Sequence, residues 1–340
     1  MREFLHKYAR FTGYVGYPAF YLGCLLLFAS ITFPYERLRE RIVGSFNSQQ
    51  LETGGQQELQ IDGLSGYWLT GVRMRGVRLL SAPVEPGSAP QKIESEEATL
   101  RYGILPALVG NSDLSFDVLA FGGEASGSYA THGKDVSIEV ALDAVDIGRI
   151  DPLVQVLGVP LQGKLAGTVR LEMPEGKASK GVGSVSMEVK DVAVGDGKAK
   201  IKGALALPKI DVGTLTVAGD AKDGLLKLTK LVAGGKDVDV QGEGRIAMRE
   251  LATESLCDAQ IRFKINDAYR GKNDVTRSLF GSPGSNAPAL FELADAKIKQ
   301  SKRADGFYVW AIHGPLGRPE FTPAGGSGAA PSGPFGATLR

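Results

Sequence analysis

The chain has 340 residues, of which 43% are hydrophobic and 23% charged, and its formal net charge is only +1. This composition predicts a folded protein with a sizeable core, and the missing basic excess argues against a nucleic-acid partner. Glycine is frequent, at 45 residues, whereas only 3 histidines and 2 cysteines occur. So few ligand-type residues lead us to expect no metal, no cofactor and no disulfide framework.

The first predicted element is an apolar segment at residues 14–33, YVGYPAFYLGCLLLFASITF, which carries no charge. At about 1.5 Å per residue a helix of this length spans the roughly 30 Å hydrocarbon core of a bilayer. A cleaved signal peptide is the alternative, because basic residues precede the segment. The length of the apolar run and the lack of a clear small-x-small site favour an uncleaved transmembrane anchor. The candidate anchor residues are Tyr14, Tyr17, Tyr21, Leu25, Leu26, Leu27, Phe28 and Phe33.

The charges that flank this segment do not fix its orientation. Three basic residues precede it and three follow it, namely Arg2, Lys7, Arg10, Arg37, Arg39 and Arg41. The positive-inside rule is therefore undecided. The short N-terminal tail makes a signal anchor the simpler topology, with residues 1–13 cytoplasmic. The body would then lie in the periplasm of a Gram-negative cell, and the protein in the inner membrane.

A helix is predicted directly after the anchor, in PYERLRERIVGSFNSQQ. Leu38, Ile42 and Phe46 recur every four residues, which gives one apolar face, and Pro34 suits a helix start. Two placements are open for this helix. It either covers the end of a sheet, which we favour, or lies along the membrane surface.

From residue 57 the apolar period changes to two, which is typical of β-strands. QQELQIDGLSG, GVRMRGVRLLS and QKIESEEATLRY alternate over parts of their length, and SAPVEPGSAP is predicted to be a loop between two of them. A short helical turn is expected at Ile104 to Val109. Strands are expected near 112–121, 124–131 and 135–144.

The second half of the chain continues this pattern with few helices. DPLVQVLGVP predicts a helix in the middle, with Asp151 as N-cap and Pro152 in the first turn. AYRGKNDVTRSLFG predicts a second short helix. KIKQSKRADGFYVWAIHG is interpreted as a final hairpin that turns at Asp305–Gly306. The expected domains are a β-rich periplasmic domain at 34–321 and a disordered Gly/Pro/Ser-rich tail at 322–340.

The stretch LLKLTKLVAGGKDVDVQGEGRI illustrates the strands. Val238, Val240 and Ile246 share one parity and are the candidate lining of an apolar groove, while Gly242 and Gly244 take positions of the same parity. Glycines inside strands permit bending or close approach. The predicted fold is therefore mainly β, a long, curved, mostly antiparallel sheet that folds into a sandwich or stays open as a groove.

No catalytic residue can be assigned from the sequence. GVPLQGKL resembles a phosphate loop only superficially, because a helix precedes it and a strand follows. His132 and His313 lie at or near predicted turns, and Glu94 with Glu96 fits a solvated strand face better than a catalytic pair. Of the tryptophans, Trp310 is assigned to the core. Trp68 either packs against the body or meets the membrane interface. We therefore expect a protein that is not an enzyme.

The order of the pieces resembles type II secretion system protein N, the GspN family. The resemblance rests on the N-terminal anchor and on LQIDGLSGYWLTGVRMRGVRLL, LRYGILPALVGNSDLSFDVLAFGGEASGSY, DPLVQVLGVPLQGKLAGTVRLEM and YVWAIHGPLGRPEFTP. It covers roughly residues 5 to 321. The run LPALVGNSDLSFDVLAF, followed by Gly122–Gly123, is also similar to AsmA-like proteins, which combine an inner-membrane anchor with a β-rich periplasmic body.

The resemblance implies an accessory inner-membrane subunit of a machine that exports folded proteins across the outer membrane. Its implied partners are other secretion-system subunits and the inner membrane, and it brings no catalytic residues. The AsmA likeness implies an alternative function in lipid binding or lipid transfer, with phospholipid as a candidate partner.

Overall fold

The structure is a computed structural model. It describes residues 16–18, 20–25, 27–28, 31–53, 57–68, 70–81, 91–151, 159–197, 200–201, 205–206, 208–285 and 289–325. The strands of this part are β1 (Gln57–Tyr67), β2 (Gly71–Ser81), β3 (Gln91–Tyr102), β4 (Ser112–Ala120), β5 (Gly123–His132), β6 (Asp135–Asp146), β7 (Leu161–Met173), β8 (Val182–Val194), β9 (Lys200–Ile201), β10 (Leu205–Ala206), β11 (Ile210–Lys222), β12 (Leu225–Gly234), β13 (Val238–Ala247), β14 (Leu256–Ile265), β15 (Tyr308–Pro315) and β16 (Glu320–Pro323).

The helices with described bounds are short, apart from the first. They are α1 (Tyr35–Thr53), α2 (Ile104–Leu108), α3 (Asp267–Arg270), α4 (Asp274–Phe280), α5 (Leu290–Ala294) and α6 (Ala296–Ser301). The predicted helix after residue 34 and the predicted turn at 104–109 are therefore confirmed as α1 and α2. The three strands expected between residues 112 and 144 are confirmed as β4, β5 and β6.

Fourteen strands form one sheet, in the order β1-β2-β3-β4-β5-β6-β7-β8-β11-β12-β13-β14-β15-β16. Strands that follow each other in the chain are neighbours, and the small β9–β10 hairpin pairs only with itself. β1 and β16 end the order, so the sheet is open, and its pairs run antiparallel. The predicted mainly β fold, with a mostly antiparallel sheet and a few short helices, is confirmed.

The chain divides into two compact units. Unit 1 comprises Met1–Leu108 and Leu114–Val118, and unit 2 comprises Val109–Asp113 and Leu119–Arg340. In unit 1, α1 packs along β1. Leu38, Ile42 and Phe46 are half-buried there, which agrees with the favoured placement of this helix over the sheet.

The deepest core of unit 2 lies where α3 and α4 meet the sheet. Val238 and Ile265, which are directly paired across β13 and β14, belong to one buried cluster with Tyr269, Leu279 and Phe280. The Tyr269 hydroxyl donates to the carbonyl oxygens of Pro208 and Lys209 at 3.2 Å each. Apolar burial and these hydrogen bonds thus hold the helices against the strands.

The predicted final hairpin is confirmed only at its turn, where Asp305–Gly306 reverses the chain and Lys302 and Tyr308 form a single antiparallel bridge; the prediction of two strand arms is wrong. Its first arm is the helix α6, which Asp295 caps by accepting a hydrogen bond from the Lys297 amide at 2.9 Å. Its second arm is β15, which pairs with β14 and β16 instead. A helix cap therefore prevails over a short apparent alternation. Likewise, the single helix predicted in AYRGKNDVTRSLFG is two helices, because Gly271 follows α3 and an Asn273–Thr276 capping box starts α4.

Several predictions fall on residues outside the described part, among them the middle helix at 152–158, the loop at 82–90 and the tail from residue 326. β16 extends to Pro323, so the first two residues of the predicted tail pair with β15. Of the predicted anchor, residues 14, 15, 19, 26, 29 and 30 also lie outside. Within the described residues, no helix combines the length and the apolar character that crossing a membrane requires.

Candidate binding surfaces of the sheet

One face of the sheet in unit 2, here called the apolar face, carries apolar side chains in register across many strands. Directly paired residues of antiparallel strands point to the same face. One row crosses from β6 to β16 and consists of Val140, Val169, Val185, Gly219, Leu228, Gly244, Ala259, Ile312 and Phe321. A parallel row consists of Ile138, Leu171, Gly183, Ala221, Leu226, Ile246 and Cys257. The apolar residues that alternate within each strand thus align across the strands and form a continuous surface.

Glycines on this face let neighbouring strands approach closely. A Cβ atom added at Gly244 would lie 2.5 Å from the Cβ of Ala259, and one added at Gly242 would lie 2.8 Å from Leu231 Cδ2. Neither Cβ nor the backbone of Ala259 can move away easily, so packing requires glycine at position 244, whereas the end of the flexible Leu231 side chain can shift to admit a methyl group at position 242.

The centre of the apolar face is less covered than its end. Val238 is buried in the cluster under α3 and α4, and Val240 packs partly against it. Ile246, Leu228 and Val217 are only half-buried. The three residues predicted to line a groove therefore share one face, but Val238 is covered by helices.

The opposite face, here called the charged face, carries a row of ionisable and polar residues in the same register. The row consists of Glu139, Arg170, Ser184, Asp220, Lys227, Arg245, Asp258, His313 and Glu320. Arg170 and Glu139 form an ion pair of 2.8 Å. Charges of both signs on one face give a surface that can discriminate between protein partners.

Asp258 is the most buried charge of this row, with only 7% of the residue exposed. Its Oδ2 accepts from Arg245 Nε at 3.2 Å and Nη2 at 3.1 Å, and its Oδ1 lies 3.2 Å from Nδ1 of His313. A cavity of about 490 Å³ borders this group and is lined also by Lys227, Glu243 and Gln260. Three strands thus position one carboxylate between a guanidinium and an imidazole group.

This cluster does not contain an activated thiol. Cys257 is adjacent to Asp258 in the strand, so its side chain points to the apolar face. Burial, and secondarily the Asp258 charge, raises the pKa of the Cys257 thiol. A raised pKa keeps the thiol protonated and weakly nucleophilic at neutral pH. Among the described residues, no group of three or more His, Cys, Asp and Glu side chains could hold a metal ion.

A second buried carboxylate connects the helices to β15. Glu292 Oε1 accepts from the Tyr308 hydroxyl at 2.9 Å and from Lys302 Nζ at 2.6 Å. Burial, followed by the hydrogen bond to Glu292, raises the pKa of Tyr308 well above its usual range. Since every partner belongs to α5, β15 or the link between α6 and β15, this group stabilises the fold.

The first edge of the sheet is covered by α1. The Leu59 amide donates to Asn47 Oδ1 at 2.8 Å, and Asn47 Nδ2 donates to the Leu59 carbonyl at 3.3 Å. Arg39 Nη1 donates to the Asp62 carbonyl at 2.7 Å. These side chains occupy backbone groups through which a further strand would pair with β1, which is a known protection of sheet edges.

The remaining predicted residues are placed as follows. His313 lies inside β15 and not at a turn. Glu94 and Glu96 are exposed, and the pKa of Glu94 is lowered, chiefly by a hydrogen bond from Lys92. Trp310 is half-buried on the apolar face. The described anchor residues are all exposed: Tyr17, Tyr21, Leu25, Leu27, Phe28 and Phe33.

Sequence reasoning missed the Asp258 cluster, because its three members come from strands whose pairing is not visible in the sequence. The available signal was that Arg245, Asp258 and His313 all occupy the polar parity of their strands. Comparison of the chain with family models, with curated proteins and with solved structures finds no match.

Proposed function

We propose that this protein is a membrane-anchored accessory subunit of a type II secretion system, with a sheet that binds other subunits of the machine. The observation that carries the proposal is the open fourteen-stranded antiparallel sheet, built almost entirely in chain order behind an uncharged N-terminal segment. A large regular surface of this kind suits a scaffold. The resemblance to the GspN family favours secretion among the scaffold functions.

The charged face is the surface we assign to subunit binding. It presents charges of both signs across β6 to β16, and exposed members such as Lys227 have room to pair with a partner. The β1 edge is covered by α1, so strand addition at that edge would require α1 to move. Side-chain recognition on the charged face requires no such rearrangement.

The proposal places residues 1–13 in the cytoplasm, residues 14–33 in the inner membrane and the sheet in the periplasm. Two observations support the anchor. The segment is uncharged, and its described side chains are exposed, which soluble proteins rarely permit over a contiguous apolar surface. They include Tyr17, Phe20, Tyr21, Leu22, Leu25, Leu27, Phe28 and Ile31.

Deletion of the gene in its host, followed by proteomics of the culture medium, tests the secretion function. We expect the exported substrates to fall in the medium and to be restored by the full chain. Lys227→Glu should restore them poorly, whereas Lys134→Glu, which changes an exposed lysine in the β5–β6 turn, should restore them fully. Normal levels of every substrate in the deletion strain would exclude a required role.

A second candidate function is lipid binding, and the half-buried centre of the apolar face favours it. Burying one methylene contributes about 0.8 kcal/mol, so ten methylenes contribute about 8 kcal/mol as an upper estimate. That corresponds to a dissociation constant near the micromolar range. An acyl chain lying across Val217, Leu228 and Ile246 would satisfy this estimate.

Mass spectrometry of organic extracts from the purified full chain tests this candidate. We expect co-purified phospholipid above the level that a detergent-matched anchor peptide carries. Leu228→Asn should lower it, whereas Thr229→Asn, at the next position, which is exposed, should not. Equal lipid in both variants would contradict binding on the apolar face.

A further inference from the structure

The end of unit 1 that contains the β1–β2 turn exposes an unusual set of large apolar residues, here called the apolar tip. Trp68 in the turn is 73% exposed, and Leu105 and Leu108 of α2 are 78% and 77% exposed. The turn and α2 lie together, because the Tyr102 amide donates to the Thr70 carbonyl at 3.3 Å and α2 begins just after Tyr102. Contiguous exposed apolar residues of this kind mark an interaction surface.

The apolar tip lies at the end of unit 1 where the N-terminal segment joins. The Tyr35 hydroxyl, at the start of α1, would be 2.4 Å from a Cβ added at Gly66, so α1 starts beside the last residues of β1. The Phe33 and Tyr35 rings are in contact, with centroids 5.0 Å apart. Phe33, the last residue of the N-terminal segment, therefore lies near the end of β1 that leads into the turn with Trp68.

Trp68 has a backbone conformation that its side chain disfavours. Its φ is +53°, in the left-handed region that glycine or asparagine adopts more readily. A bulky aromatic residue in a strained and exposed position does not serve the stability of the turn. Strain of this kind points to a functional contact.

The chemistry of the tip fits a bilayer interface. Tryptophan and tyrosine concentrate at the level of the lipid headgroups, and leucines on short helices insert into the adjoining acyl region. Arg37 in the first turn of α1 and Arg101 near the end of β3 are exposed at the same end. They add attraction for anionic headgroups.

We propose that the apolar tip inserts into the surface of the same bilayer that holds residues 14–33, so that unit 1 contacts the membrane twice. The inference rests on the anchor of the proposed function. A single flexible attachment would leave unit 1 free to tilt, whereas a second contact fixes the direction in which β1 to β3 leave the membrane.

Tryptophan quenching in vesicles of phosphatidylethanolamine and phosphatidylglycerol, with bromine placed at defined acyl depths, tests the proposal. The chain has only two tryptophans, so the full-length W310F variant reports Trp68 alone. We expect its emission to be blue-shifted relative to denatured protein and quenched several-fold more by shallow than by deep bromine. The difference between wild type and W68F gives the same information without altering β15.

L105S/L108S in the W310F background should reduce the quenching several-fold. L251S, which changes an exposed leucine of unit 2, should leave it unchanged. Sedimentation of the vesicles after an alkaline wash separates the two hypotheses. A chain that stays with the vesicles while Trp68 is unquenched retains the anchor and overturns the inserted tip, leaving a protein partner as the occupant. A chain that is washed off overturns both.

Discussion

Two strand glycines, one on the apolar face and one on the charged face, lead to a prediction with an internal control. Gly244 in β13 and Gly234 in β12 are both strand glycines with ordinary backbone angles, but their surroundings differ. An added Cβ at Gly244 would lie 2.5 Å from Ala259 Cβ, 2.7 Å from Ala259 Cα and 3.0 Å from the Asp258 carbonyl oxygen. An added Cβ at Gly234 would meet nothing within 4 Å.

The same substitution should therefore have opposite effects at the two positions. Replacing glycine by alanine restricts the unfolded chain and stabilises a compatible site by about 0.4–1 kcal/mol. Forcing a methyl group into a packed interior destabilises by about 1–3 kcal/mol. We expect Gly234→Ala to raise the free energy of unfolding by roughly 0.5 kcal/mol. Gly244→Ala should lower it by about 1–2 kcal/mol, since overpacking exceeds the entropic gain.

Urea unfolding of the full-length W68F chain in detergent is the assay, because Trp310 is then the only tryptophan. Trp310 pairs with Ile261 across β14 and β15, two residues along β14 from Ala259, the partner of Gly244, and should report the loss of packing there. If both variants unfolded at the same urea concentration with equal slopes, the packing explanation for Gly244 would be refuted.

Three further predictions concern hydrogen bonds and buried charges. Asn47→Ala removes the two hydrogen bonds to Leu59, which contribute about 1 kcal/mol each. Alanine has a higher helix propensity, which offsets part of this loss, so the stability of unit 1 should fall by roughly 1–1.5 kcal/mol. Faster hydrogen exchange in β1 measures the effect. Asp258→Asn removes a buried carboxylate from its Arg245 partner, and the free energy of unfolding measured in urea should fall by about 2–3 kcal/mol. This decrease is smaller than for a fully buried ion pair because Arg245 is one-third exposed. Burial, and secondarily the Asp237 charge, raises the pKa of Tyr269 to about 12. The stability that the protonated Tyr269 contributes is therefore complete below pH about 10 and is lost as the pH rises to about 12. The expected decrease in the free energy of unfolding is roughly 2–3 kcal/mol.

Each of these has a control on the same element or with the same chemistry. Ser48→Ala, on the exposed side of α1, should leave exchange in β1 unchanged. Asp274→Asn alters an exposed ion pair and should cost under about 1 kcal/mol. Tyr269→Phe should reduce the alkaline loss and leave the part that arises from Tyr308, whose pKa is also raised. Unchanged hydrogen exchange in Asn47→Ala would contradict the role of Asn47. An Asp258→Asn variant as stable as Asp274→Asn would contradict the role of the buried carboxylate. An alkaline loss as large in Tyr269→Phe as in the wild type would contradict the role of Tyr269.

The capping of α6 shows where local pattern reasoning fails. In KIKQSKRADGFYVWAIHG, Lys297, Ile298 and Lys299 alternate in polarity as a strand would. The decisive residue was Asp295, which precedes the run and caps a helix. A run of a few residues is compatible with both periods, and the choice between them came from a hydrogen bond to the backbone.

Periodicity did determine much of this protein. A two-residue alternation is imposed by backbone geometry within a single strand, so strand after strand could be located, and the apolar parity of Val238, Val240 and Ile246 identified. The four-residue spacing of Leu38, Ile42 and Phe46 similarly identified α1 and its packed side.

Register, in contrast, depends on contacts between residues that lie far apart in the chain, and only the tertiary structure decided it. Pairing places Arg245, Asp258 and His313 side by side, brings α1 over the β1 edge, and puts Trp68 beside α2 at the end where the N-terminal segment joins. None of these juxtapositions follows from local sequence, because each strand could satisfy its own alternation with many neighbours. The choice among neighbours is made by packing, through contacts as specific as that of Gly244 with Ala259.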